Sequence, residues 1–201
     1  MSHEIRVWDL GLRLFHWSLV ALFTVAYISG EGTGSLHNWA GYIILGLLAF
    51  RLLWGLVGGK HARFSDFIYA PRQILAYLKD LIGGRPRRYL GHNPAGGLMI
   101  VVMLLMLFAV SWTGLKADQA RHETVIVPSA ITFAMPEARA ADDADDDARS
   151  EGFWEEAHEA SVDIMLALIV LHLVGVAASS LMHHENLARA MLTGRKRRDE
   201  G

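Results

Sequence analysis

With 201 residues, 52% of them hydrophobic and a formal net charge of -2, the chain is long enough for one small membrane domain, and its charges are segregated rather than spread. It contains no cysteine, which excludes disulfides, iron-sulfur clusters, thiolate zinc sites and covalently attached c-type haem. The apolar residues fall in four long runs, a habit of membrane helices and not of soluble or nucleic-acid-binding domains.

The first run predicts a helix over residues 9–29. Arg6 and Arg13 come before its apolar core, as in a signal peptide, but it lacks a small-residue cleavage site and is read as a retained membrane helix. His16 lies inside it, next to Trp17. Glycines at 30, 32 and 34 end it, and the second helix is expected over residues 36–58, opening with His37 and carrying Arg51.

Residues 59–91 hold Lys60, Arg63, Arg72, Lys79, Arg85, Arg87 and Arg88 against Asp66 and Asp80. The positive-inside rule makes this loop cytoplasmic. Within it, Ile74, Leu75, Leu78, Leu81 and Ile82 recur at helical spacing from Pro71 to Ile82. They predict a short helix that lies on the membrane surface or packs on its neighbours.

Asn93 and Pro94 form a helix-start signal for the third helix, residues 94–115, whose Met99, Met103 and Met106 read as packing residues. Residues 116–152 read as a mobile polar outer loop with an acidic run from Asp142 to Asp147, either a solvated linker or a docking surface for a basic redox partner. The fourth helix is expected over residues 153–182. The tail, residues 185–201, is basic. Four spans with a basic loop and a basic tail predict an all-α four-helix bundle with both termini cytoplasmic.

The chemistry centres on the fourth helix, where His158 and His172 are fourteen residues apart. At roughly 100° and 1.5 Å per residue, fourteen steps return to within about 40° of the same face and advance about 21 Å along the axis. Polar imidazoles at such positions suit two stacked metal centres, and each needs a partner. Chain direction puts His37 near the level of His158 and His16 near that of His172, so the expected pairs are His37 with His158 and His16 with His172. They describe two bis-histidine haems held without covalent attachment. Arg51 lies fourteen residues after His37. It should share that face and offer a cation to a haem propionate, with Arg13 as a second candidate for the same role. His92, beside the third helix, is the reserve ligand.

Several stretches together resemble the bacterial cytochrome b561 family, in particular the b-type cytochromes associated with nickel-iron hydrogenases or c-type cytochromes. They are RLFHW at Arg13 to Trp17, HNWAG at His37 to Gly41, FRLLW at Phe50 to Trp54, GHNPAG at Gly91 to Gly96, WEEAHE at Trp154 to Glu159, LHLVGV from Leu171 and HHENLARAMLTGRKR from His183. The resemblance implies an inner-membrane, respiratory-chain protein with two haems b, passing electrons between quinone or quinol and a c-type cytochrome or hydrogenase subunit. It places the family's ligands at His16, His37, His158 and His172.

Two other readings use the same histidines. One is a superoxide oxidase that reduces quinone, which a cationic funnel beside His37 or His158 would favour. The other is a metal or proton transporter, which would carry no haem.

Overall fold

The computed structural model describes residues 4–30, 35–85, 87–123 and 137–197. Its backbone contacts divide into two compact units, residues 1–105 with 168–201, and residues 106–167. The protein is an all-α membrane protein, with four helices among the described residues long and apolar enough to cross a bilayer.

In the first unit, α1 (Leu10–Ser29) begins where Asp9 accepts a hydrogen bond from the Leu12 amide at 2.8 Å. The same carboxylate accepts from Trp54 Nε1 at 3.1 Å and from the Gly59 amide at 3.2 Å. One side chain therefore caps α1 and ties it to the far end of α2 (Ser35–Val57). Along α2 the buried positions are Ala40, Ile44, Leu48, Arg51 and Gly55. Steps of three and four residues make them one helical face. Leu52, Leu53, Leu56 and Val57 are exposed apolar side chains, as a lipid-facing surface requires.

A 3-10 turn (Lys60–Ala62) and the single turn α3 (Phe64–Phe67) precede α4, which occupies Pro71–Ile82, the span its periodicity predicts. Pro71 is its first residue, and the Gln73 side chain accepts from the Ala70 amide at 3.1 Å. Tyr77 is buried while Leu75 and Ile82 are exposed. The start of α5 (Pro94–Glu123) follows its sequence signal, with Asn93 Oδ1 accepting from the Gly96 amide at 2.7 Å.

The polar segment is more helical than expected. Helix α5 continues past Leu115 to Glu123, and α6 (Glu137–Met182) begins sixteen residues before 153. The acidic run at 142–147 therefore lies on helical backbone, in a stretch where Ala138, Ala140, Ala141, Ala144 and Ala148 favour helix. The rest of the expected loop, residues 124–136, lies outside the described residues.

After α6, His184 takes a left-handed conformation with φ 49° that turns the chain into α7 (Leu187–Thr193), capped by Asn186. Gly194, with φ 79°, ends α7, and its carbonyl accepts from the amides of Val7 and Trp8 at 2.8 and 3.1 Å. A Cβ at 194 would press on the Trp8 carbonyl, so glycine is needed for closeness as well as for φ. Beyond it, β2 (Arg195–Arg197) pairs antiparallel with β1 (Glu4–Arg6), in the register Glu4 with Arg197 and Arg6 with Arg195. Nothing in the sequence pattern announces this three-residue ribbon.

Candidate haem-binding residues

His16 sits half-buried on α1 and His172 half-buried on α6. Within the first unit the two imidazoles lie within electrostatic reach of one another.

Arg51 is 1% exposed. Its guanidinium lies over the rings of Phe64 and Phe67, at 5.0 and 5.5 Å from their centroids, with the Asp9 carboxylate within electrostatic reach. Its Nη1 is buried and has no hydrogen-bond partner. A buried charged donor left unmet costs on the order of 1–3 kcal/mol or more, so Nη1 asks for an acceptor, which Asp9, acting on the guanidinium without a hydrogen bond to Nη1, does not supply. The buried stripe on α2 also settles the helical face: Arg51 and the half-buried His37 both lie along it.

Arg13 is placed differently from Arg51. Its Nη2 donates to the Leu192 carbonyl at the end of α7, and its Nε is buried without a partner. Part of this guanidinium is committed to holding the tail, and one N–H is left for an acceptor.

His92 is enclosed between Trp8, at 4.5 Å between ring centroids, and Phe67, at 5.1 Å. Burial first, and then the charges of Lys196, Arg51, His61 and His172, push its pKa down to about 3. The ring is therefore neutral at any physiological pH. Its Nδ1 is buried without a hydrogen-bond partner, while its backbone carbonyl accepts from Tyr69 Oη at 2.9 Å. Because His92 feels both Arg51 and His172, these groups form one neighbourhood. Lys196 belongs to it as well: it is 8% exposed, with its ammonium 5.5 Å from the Trp8 ring centroid, and burial lowers its pKa.

His37, also in the first unit, has Nδ1 2.9 Å from the Ala26 carbonyl. A carbonyl can only accept, so Nδ1 carries the proton and the lone pair of the neutral ring is on Nε2.

His158 lies in the second unit, where it repeats this arrangement. Its Nδ1 is 3.1 Å from the Val110 carbonyl and 3.3 Å from Thr113 Oγ1, which again leaves the lone pair on Nε2. Thr113 Oγ1 is also 3.1 Å from Ser161 Oγ. A Cβ on Gly114 would lie 2.9 Å from His158 Cε1 and 3.2 Å from Nδ1, so the ring packs where only glycine leaves room. Val110, Thr113, Gly114 and Ser161 carry no ligand chemistry of their own. Only the isolated glycine inside an apolar helix hinted at such a close approach.

A histidine that presents one nitrogen to a metal commonly donates the other N–H to a carbonyl, which fixes ring and tautomer. His37 and His158 have that form. Among the described residues no three His, Cys, Asp or Glu side chains converge as a multi-ligand metal site; two axial imidazoles on a haem iron do not require one.

The sequence profile of the prokaryotic cytochrome b561 family matches residues 7–194. Curated relatives include a probable Ni/Fe-hydrogenase B-type cytochrome subunit of Azotobacter vinelandii, 28% identical over 57% of this chain and 62% of the relative. One of Azotobacter chroococcum is 29% identical over 47% of this chain and 50% of the relative. A third, from Bradyrhizobium diazoefficiens, is 19% identical over 96% of this chain and 85% of the relative. The first two matches thus cover about half to three-fifths of the relatives' length. No solved structure gives a significant match.

Proposed function

From the premise that the chain belongs to the prokaryotic cytochrome b561 family, haem b proteins of membrane electron transfer, we propose that it holds two haems b, each between two histidines. His16 and His172 form one axial pair, and His37 and His158 the other. Arg51 and the remaining N–H of Arg13 meet haem propionates. The chain then sits in the inner membrane with both termini cytoplasmic, and electrons cross between quinone and a redox partner. A hydrogenase is the partner that the relatives' names support; a c-type cytochrome is the other that the sequence admits.

The observation that carries this reading is the neighbourhood of His16 and His172, with a buried Arg51 whose Nη1 has no acceptor. Haem b supplies a one-electron couple when bound. The protein's part is to position and tune it. Two histidines holding each haem would leave no iron site open to substrate, which would favour electron transfer over bond chemistry. His37 and His158 are oriented through Nδ1 by backbone carbonyls. Arg51 favours the reduced state, because a fixed cation offsets the negative charge that an added electron brings.

The test is a reduced-minus-oxidised visible spectrum of the purified protein with haem counted per chain, repeated for His172→Ala and His158→Ala. The expected result is two low-spin b haems, with one lost in each variant. A colourless protein overturns the proposal.

A further inference from the structure

The tail that closes the first unit builds a basic cleft that electron transfer does not use. Strand β2 alternates exposed, buried, exposed: Lys196 turns inward toward Trp8, and Arg195 and Arg197 turn outward together. On β1, Glu4 and Arg6 are likewise exposed on either side of Ile5. The register sets Arg6 directly opposite Arg195. Like charges directly opposed across two strands are destabilising, and Glu4, opposite Arg197 and paired with Arg195, is the one acidic residue of the ribbon that offsets them.

The acidic groups nearby neutralise this face only in part. Glu4 forms an ion pair with Arg195 at 3.6 Å, and Glu185 pairs with Arg88. Arg197 contributes one N–H to the His184 carbonyl at 3.4 Å. Arg189, from α7, lines the same cleft, whose volume is about 190 Å³. That is several times the space of a water molecule. Of its charged lining, Arg189, Arg195, Lys196 and Arg197 stand against Glu4 and Glu185, an excess of two positive charges.

The position of the cleft along the chain decides the kind of anion. His184 and Glu185, which line it, come two and three residues after the last residue of α6, and Arg6 comes four residues before the first of α1. At about 3.3 Å per extended residue, these groups lie within roughly 7–13 Å of the ends of the two spans. The polar headgroup layer of a leaflet extends about 5–7 Å beyond the hydrocarbon, so the nearest of these groups, His184, reaches its outer part.

We propose that this cleft binds the phosphate of an anionic phospholipid, with Arg195 and Arg197 as the principal contacts and Arg189 at its edge. A phosphodiester accepts from several guanidinium donors at once, and its charge relieves the Arg6 and Arg195 repulsion. The lipid thereby fastens the ribbon that joins the two ends of the first unit.

The test uses the haem-loaded full chain, purified in mild detergent, stripped of lipid and given phosphatidylglycerol or phosphatidylcholine, with bound lipid counted by native mass spectrometry. Phosphatidylglycerol is retained preferentially, and Arg195→Gln with Arg197→Gln lowers its retention at least tenfold. The pair Arg72→Gln with Lys79→Gln, on the exposed side of α4, removes equal charge and leaves retention within twofold. Equal losses in both pairs would mean diffuse attraction and overturn the site, as would retention unchanged in the first pair. Inorganic phosphate that binds the lipid-free protein and displaces the lipid at millimolar concentration would identify a free-phosphate site instead, and overturn the lipid assignment. Should the double variant fail to fold, the wild type still decides. Phosphatidylglycerol must raise the temperature at which haem is lost, phosphatidylcholine at equal concentration must not, and equal shifts overturn the proposal.

Discussion

His158 in the second unit is held by small neighbours, the Val110 carbonyl, the Thr113 hydroxyl and the bare Cα of Gly114. Arg51 and His92 in the first are enclosed by large rings, those of Phe64, Phe67 and Trp8. One environment positions an imidazole by leaving out atoms, and the other encloses a cation and a neutral imidazole between aromatic faces. They should therefore fail in opposite ways. The first breaks when an atom is added, the second when a charge is taken away.

Adding an atom has the larger effect. Gly114→Val places branched carbon where the His158 ring lies, and the ring can yield only by giving up its contact with Val110. If His158 is an axial ligand, Gly114→Val loses about one haem per chain by pyridine haemochrome assay, and Gly114→Ala loses part of it. Both variants should keep the haem assigned to His16 and His172. Full occupancy in Gly114→Val would detach His158 from haem binding.

Taking a charge away comes next. Arg51→Gln removes a cation beside the proposed inner haem, so the oxidised, more positive state is favoured and the reduction potential falls. The expected shift is on the order of 60 mV, a tenfold change in relative stability for a one-electron couple. Arg51→Lys keeps the charge but loses the planar fork and should recover part of the shift. Redox titration of the two haems checks both, and a potential unmoved by Arg51→Gln would separate Arg51 from the propionates.

How these two environments could be read from the sequence follows the same division. The Arg51 face was legible, because burial on α2 repeats every three to four residues and the fourteen-residue step from His37 stays on that stripe. Asn93 with Pro94, and the period of α4, were legible for the same reason: local spacing and capping act within a few residues. The contact of Gly114 with His158 was not, since it depends on which faces of α5 and α6 meet over 44 residues of separation. Nor was the ribbon of β1 and β2, whose three pairs join opposite ends of the chain. The acidic start of α6 misled for a compositional reason, charge having been weighed above the helix preference of the alanines within and beside it.

A proton tests the ring-lined environment more gently than a mutation. Because the His92 pKa lies at about 3, below its ordinary 6.5, the unfolded chain binds one more proton than the folded one between those values. The stability that His92 contributes is thus fully present above pH 6.5 and lost as pH falls toward 3, with a slope of at most about 1.4 kcal/mol per pH unit. Heating the detergent-solubilised protein at pH 7.5, 6.0 and 5.0 should show a declining midpoint of haem loss, and His92→Gln should decline less. Parallel declines would show that His92 is not the titrating group.

The smallest effect belongs to the hydroxyl pair beside His158. Thr113→Val keeps the shape of the side chain while removing the partner of Ser161 Oγ and one neighbour of His158 Nδ1. The Val110 carbonyl still holds the ring, so both haems should remain bound. The cost is that of one neutral hydrogen bond, about 1 kcal/mol, read as a small fall in the midpoint of haem loss. The potential of the haem assigned to His158 should move by less than the shift expected for Arg51→Gln, because a hydroxyl dipole is exchanged there and a full charge at Arg51. Haem lost from Thr113→Val would mean that the hydroxyl, and not the carbonyl, fixes the His158 ring. The contrast between an environment built by omission and one built by charge would then no longer hold.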